Sequence, residues 1–217
     1  MKGKYLLPAM FVALFAFSRI PNLMPQNFSV AYAFAFCAGV YFRGALGWWL
    51  PLGVMLATDL GLNCYYQHAH PDYEVWSGAN LANLLFNYTA YAVLIFLGRR
   101  FQPQASLVGL LGGGLLGAIL FYFITNTASW LFNPFNNPEY TKTLTGWFIA
   151  LTRGTGGYPS TWEFFRNTLL SGGLFTVLFA AAQKLTAGAE SPADKTAGAS
   201  APEAKDETEA GPEEVKA

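Results

Sequence analysis

The sequence predicts an all-α, polytopic integral membrane protein of six transmembrane helices with both termini in the cytoplasm. Six apolar stretches fill the chain from Tyr5 to Lys184, and no soluble domain separates them. Hydrophobic residues make up 53% of the 217 and charged residues only 12%, and the basic residues gather at one set of stretch ends. A transmembrane helix needs about 20 mostly apolar residues to cross about 30 Å of hydrocarbon. The predicted spans are residues 5–20, 28–44, 45–62, 80–98, 105–125 and 162–184, with almost no loop between the second and third.

Lys and Arg in short loops stay on the cytoplasmic side, so they set the orientation. Lys2 and Lys4 precede the first span, Arg43 lies between the second and third, Arg99 and Arg100 follow the fourth, and Lys184 closes the sixth. The other side holds Arg19, Lys142 and Arg153 against Asp72, Glu74 and Glu139. This bias predicts a multi-pass protein of the bacterial inner membrane, seated directly in the lipid bilayer. A cleaved signal peptide is the alternative for the first span, since Ala16-Phe17-Ser18 offers a small-residue cleavage site after a basic start.

The first span also carries a smooth face of Ala9, Ala13 and Ala16. Helices in lipid associate through close backbone approach and polar contacts, so small residues four apart matter. The fifth span repeats that spacing with Gly109, Gly113 and Gly117, read as packing within the chain rather than between chains. Cys37 and Cys64 form no CxxC pair and are read as packing residues.

Polar side chains in a bilayer point at a cavity or at each other. The third span ends with Thr58, Asp59 and Asn63. On the fourth, Asn80, Asn83, Asn87 and Tyr91 recur at helical spacing and share one face. The fifth ends with Thr125, Asn126, Ser129 and Trp130, and the sixth opens with Trp162, Glu163, Arg166 and Asn167. All these ends face outward. At about 1.5 Å per residue Asp59 and Arg166 share a depth, one turn below the outer surface. They are expected to form an ion pair or to bracket one ligand, because an unpaired charge there is costly.

After the third span, His68, His70, Asp72 and Glu74 are candidate ligands for a borderline metal, although a solvated outer loop explains them as well. Tyr65, Tyr66 and Trp76 suit the headgroup level. Residues 131–161 form a long outer connection around a short apolar piece, Leu144 to Leu151, readable as a lid over an outward pocket or as a half-inserted helix that fills space. Residues 186–217 carry three basic and eight acidic groups and no aromatic residue. Such a segment buries too little to offset its ordering entropy, so a disordered acidic cytoplasmic tail is expected after a transmembrane domain over 1–185.

The chain has no GxSxG, no HExxH and no nucleotide-binding loop, and Ser171 has no histidine on any span to serve as its base. No enzyme activity and no cofactor are expected. Nucleic-acid binding has no basic surface to support it.

Several segments, in order, resemble a family of uncharacterised bacterial membrane proteins, a domain of unknown function. They are Pro25-Gln26-Asn27-Phe28-Ser29, Ala38-Gly39-Val40-Tyr41-Phe42, Pro51-Leu52 with Thr58-Asp59-Leu60, Thr125-Asn126 with Trp130, Tyr140 to Gly146, and Phe164-Phe165-Arg166-Asn167-Thr168-Leu169-Leu170. Where that family tends to continue with Gly-Asp, this chain has Ser171-Gly172. The family in turn is similar to the substrate-binding S components of energy-coupling-factor (ECF) transporters. That similarity implies a six-helix bundle with a pocket near the outer surface, and Ala9, Ala13 and Ala16 as the face that meets a transmembrane coupling subunit and, through it, ATPases.

The leading expectation is therefore a binding or transport subunit that holds a small molecule among the third to sixth spans. Its candidate ligand residues are Asp59, Asn63, Asn83, Asn87, Asn126, Trp130, Arg166 and Asn167, a few polar groups amid aromatic walls. The rival is a structural membrane protein whose polar cluster ties helices together.

Overall fold

A computed structural model describes residues 6–189, which hold seven helices and no strand. They are α1 (Leu6–Ser18), α2 (Ala31–Tyr41), α3 (Leu46–Ala69), α4 (Gly78–Gly98), α5 (Leu107–Phe132), α6 (Leu144–Thr152) and α7 (Thr161–Ala189). The chain divides into two compact units after Gln183, and the helices α1 to α6 with α7 as far as Gln183 belong to the first. Of the expected disordered tail over 186–217, residues 190–217 lie outside the described residues, while 186–189 are the end of α7.

Three helices are long and apolar enough to cross a membrane: α4, α5 and the Thr161–Thr186 part of α7. This length and composition support a membrane protein. The other three predicted spans differ in kind. α3 has 24 residues, but its second half carries Thr58, Asp59, Asn63, Gln67 and His68. α1 and α2 run for 13 and 11 residues, short of the ~30 Å hydrocarbon core at ~1.5 Å per residue.

Local chemistry sets several boundaries. Ser77, Ser106 and Thr143 cap α4, α5 and α6, each side chain accepting from the backbone N–H three residues on. α5 stops at Asn133, whose φ of 42° is left-handed. α3 continues seven residues beyond its predicted end because no Gly or Pro interrupts it between Leu62 and Pro71.

α2 lies at the centre. Every residue from Ala31 to Val40 is buried, so this helix is apolar on all sides. It packs on α3, α4 and α5, and α1 covers it with Phe11 and Phe15. Phe11 stacks on Phe179 of α7 at 3.7 Å between ring centres. The α2–α4 crossing depends on two glycines: a Cβ on Gly39 would collide with the Ile95 carbonyl, and one on Gly98 with the Phe36 carbonyl. Gly113 lies under the Phe36 and Phe101 rings and Gly117 against Leu94, whereas Gly114 receives Thr176 of α7. The glycine groove of α5 thus packs within the chain.

The short α6 packs on α5. Trp147 sets its ring edge-on to Phe123 and donates its indole N–H to Thr127 Oγ1 at 3.1 Å, and the Tyr122 hydroxyl donates to the Leu151 carbonyl.

Gly98→Ala should lower the thermal unfolding midpoint of the purified protein, because the backbone crossing has no slack and overpacking costs about 1–3 kcal/mol. Gly112→Ala, where a Cβ meets nothing within 4 Å, should leave it unchanged or slightly raised.

Candidate ligand pocket

Between α1 and α2 the chain runs through Arg19–Ser29 as a series of tight turns. Asn22 and Asn27 hold φ of 62° and 58°, a left-handed conformation that Asn tolerates better than most residues. Ser29 Oγ accepts from the Ala31 N–H at the start of α2. Two hydrogen bonds pin the stretch: the Tyr32 hydroxyl donates to the Asn27 carbonyl at 3.2 Å, and Asn167 Nδ2 of α7 donates to the Gln26 carbonyl at 2.9 Å.

Beneath this stretch, at the end of the bundle where α2 begins, lies a cavity of about 530 Å³. Its walls are the 18–29 segment, Tyr32 of α2, Leu62 and Tyr66 of α3, Asn83, Asn87 and Tyr91 of α4, and Phe121, Thr125, Asn126 and Ser129 of α5. A neighbouring cavity of about 350 Å³ opens between α3 and α4, lined by Asn63, Tyr66, Tyr73 and Asn80, and it shares Asn83 and Asn87 with the first. The positions 83, 87 and 91 fall one turn apart on α4, and 121, 125 and 129 do so on α5, so each helix turns one polar-edged face to the larger cavity.

The predicted site residues fall into three groups. Asn83, Asn87 and Asn126 line the larger cavity and Asn63 the smaller. Asn126 Nδ2 donates to the Tyr122 carbonyl at 2.8 Å, leaving its own oxygen unengaged. Among the described residues neither the Asn83 nor the Asn87 carboxamide has a hydrogen-bond partner, nor has the Tyr91 hydroxyl, whose ring stacks on Phe121 at 5.1 Å.

Asp59, Trp130 and Asn167 are spent on structure instead. Asp59 does not pair with Arg166: Arg19 Nη2 donates to its Oδ1 and the Tyr88 hydroxyl to its Oδ2, the latter at 2.9 Å. Equal depth left the azimuth undetermined, and Arg19 sits closer. Trp130 Nε1 donates to the Thr141 carbonyl at 2.7 Å, and Lys142 caps the end of α5 by donating to the Trp130 and Leu131 carbonyls. Asn167 latches the 19–29 stretch. Arg166 is exposed and forms no ion pair among the described residues.

His68, His70, Asp72 and Glu74 do not converge, and no group of three metal-ligating side chains forms among the described residues. The reason is the continuation of α3 to Ala69, which keeps His68 on the helix while His70 stacks beside Tyr66. The 131–161 connection is no lid over the cavity, since it lines neither one; α6 lies against α5 on the face that carries Tyr122, Phe123 and Thr127. The cover is the Arg19–Ser29 stretch, which sequence reasoning passed over. Its signal was available in two Asn flanked by Pro21 and Pro25.

On that connection, the Gly156 N–H donates to Glu139 Oε1 at 2.8 Å and holds the carboxyl below its ordinary 4.5.

The arrangement is a helical bundle with three helices long and apolar enough to cross a membrane and a polar-edged, aromatic-walled pocket near one end. Residues 1–193 match the family described as Family of unknown function (DUF6580), and the chain belongs to it. No curated protein and no solved structure matches the chain.

Asp59→Asn should destabilise the protein by about 1–3 kcal/mol, because it leaves Arg19 without a counter-charge, its side chain only 27% exposed. Replacing both residues by Leu should cost less than the sum of the single changes in a thermal unfolding cycle. A depressed carboxyl adds stability that is complete above its unfolded value and is lost as pH falls through the folded one. The protection factor of the Gly156 amide, observed exchange divided into its intrinsic rate, should therefore fall as pH drops below the ordinary glutamate value, and Glu139→Gln should abolish that acid response.

Proposed function

We propose that this chain is the substrate-capturing subunit of a bacterial transporter, a multi-pass protein of the inner membrane that holds a small molecule in the larger cavity. The observation that carries the reading is a cavity of about 530 Å³, within the usual range for ligand sites, whose Asn83, Asn87 and Tyr91 keep unused hydrogen-bonding groups. Arg43, Arg99 and Arg100 flank the turns at the opposite end, where Arg99 Nη1 donates to the Gly44 carbonyl at 3.0 Å. The preference of arginine for cytoplasmic turns then aims the cavity outward, with both termini inside and six crossings in total.

The subunit is not an enzyme and has no nucleotide-binding loop, so partners supply the energy. A transmembrane coupling subunit and its ATPases would meet Ala9, Ala13 and Ala16, which are exposed on α1. The sequence resemblance to ECF S components implies the same design: six helices, cytoplasmic termini, a pocket near the outer surface and a small-residue face on the first helix. One observation favours the rival scaffolding role: Asp59, Trp130 and Asn167 are satisfied within the chain.

Gentle solubilisation of native membranes should yield the chain together with an ATPase, and Ala13→Phe should remove the ATPase without lowering the unfolding midpoint. Recovery of the wild-type chain alone, with no ligand that raises its unfolding midpoint, would favour the scaffold.

A further inference from the structure

We infer, building on the reading of the larger cavity as a capture site, that its ligand is an uncharged ring compound with an amide-type edge, a carbonyl beside an N–H, presented to Asn83 and Asn87. The charge of the lining is the first ground. Arg19 is the one ionised group on the wall of either cavity, and Asp59 already engages it. A carboxylate ligand would meet a guanidinium whose charge Asp59 already neutralises through Nη2 and whose Nε, although unpartnered, is buried. An ammonium ligand would find no carboxylate on the wall. In a low-dielectric site an ion without a counter-charge is disfavoured, whereas a neutral polar molecule loses little if its hydrogen bonds are replaced.

The second ground is what the wall leaves unused. A carboxamide carries a donor and an acceptor side by side and matches a lactam, imide or primary amide with two parallel hydrogen bonds. Asn83 and Asn87 stand one turn apart, and the Tyr91 hydroxyl follows one turn deeper, able to donate or accept. These three groups extend over about 12 Å of helix, enough to address one or two rings. The floor is aromatic: Tyr91 stacks on Phe121, and Tyr32 packs against the same ring at 4.7 Å between centres. Flat, neutral surfaces suit it.

The test uses the purified full-length chain in detergent and matched probes that differ in charge at nearly constant shape: benzamide against benzoate and benzamidine, nicotinamide against nicotinate, and uracil against orotate. Calorimetric titration and the unfolding midpoint are read for each. The neutral members should bind at least about tenfold more tightly than their ionised counterparts. Asn83→Ala and Asn87→Ala should each weaken that binding about tenfold, while the ligand-free unfolding midpoint stays put because neither amide has a partner to lose. Tyr91→Phe, which keeps the ring and its stacking, should weaken it less. Tighter binding of the ionised members, or neutral binding indifferent to both Asn changes, would overturn the ligand class and leave the cavity as a binding site. No binding by any probe would overturn both the class and the capture reading.

Discussion

A helix of eleven residues, buried on every side, sits at the centre of the bundle and covers only about 16 Å. The hydrocarbon core is about 30 Å thick, so α2 falls short by nearly half. Where the shortfall lies is decided by two glycines. Gly39 against Ile95 and Gly98 against Phe36 fix the last turns of α2 to α4 near the arginine-bearing turns. The missing length therefore accumulates at the other end. There the chain folds back as the Arg19–Ser29 stretch, and the space below it is the cavity.

Irregular backbone at membrane depth is tolerated where it is shielded by protein or lines a water-filled space. The polar groups around α2 divide along that line. Asp59 with Arg19 and Tyr88, Tyr32 with Asn27, Asn167 with Gln26, and Trp130 with Thr141 are closed pairs that tie α2, α3, α4, α5 and α7 to the loops. Asn83, Asn87 and Tyr91 form no such pair. An unpartnered amide away from water costs free energy, so these positions make physical sense facing water or a bound molecule.

Much of this was legible in the sequence. The helices follow from the apolar stretches and their breakers, and the shared face of Asn83, Asn87 and Tyr91 follows from the four-residue spacing. The groove of Gly113 and Gly117 follows from the same rule. What failed was information that helical depth does not contain. Asp59 and Arg166 lie at one level, yet depth says nothing of direction around the bundle, and Arg19 from the first loop took the position. Of the six spans that hydropathy draws, α4, α5 and most of α7 are long and apolar enough to cross a membrane, while α2 is short and buried. The longest connection reads in sequence as a lid or as a half-inserted filler, whereas the eleven residues with two left-handed Asn lie over the cavity. His68 falls in a loop by sequence because Asn63 reads as a helix end, whereas α3 continues to Ala69.

The central claim is that water reaches the N-terminal side of α2 from outside the cell. Cysteine accessibility tests it most directly. In a Cys64→Ser background, where the remaining Cys37 is buried, Asn87→Cys and Ser129→Cys would be challenged in intact cells with a membrane-impermeant thiol reagent. Both should react from outside, while Gly44→Cys, in the turn bonded by Arg99, should react only after the membrane is opened. Labelling of Gly44→Cys in intact cells, or inert cysteines at 87 and 129, would contradict an outward cavity above a foreshortened central helix.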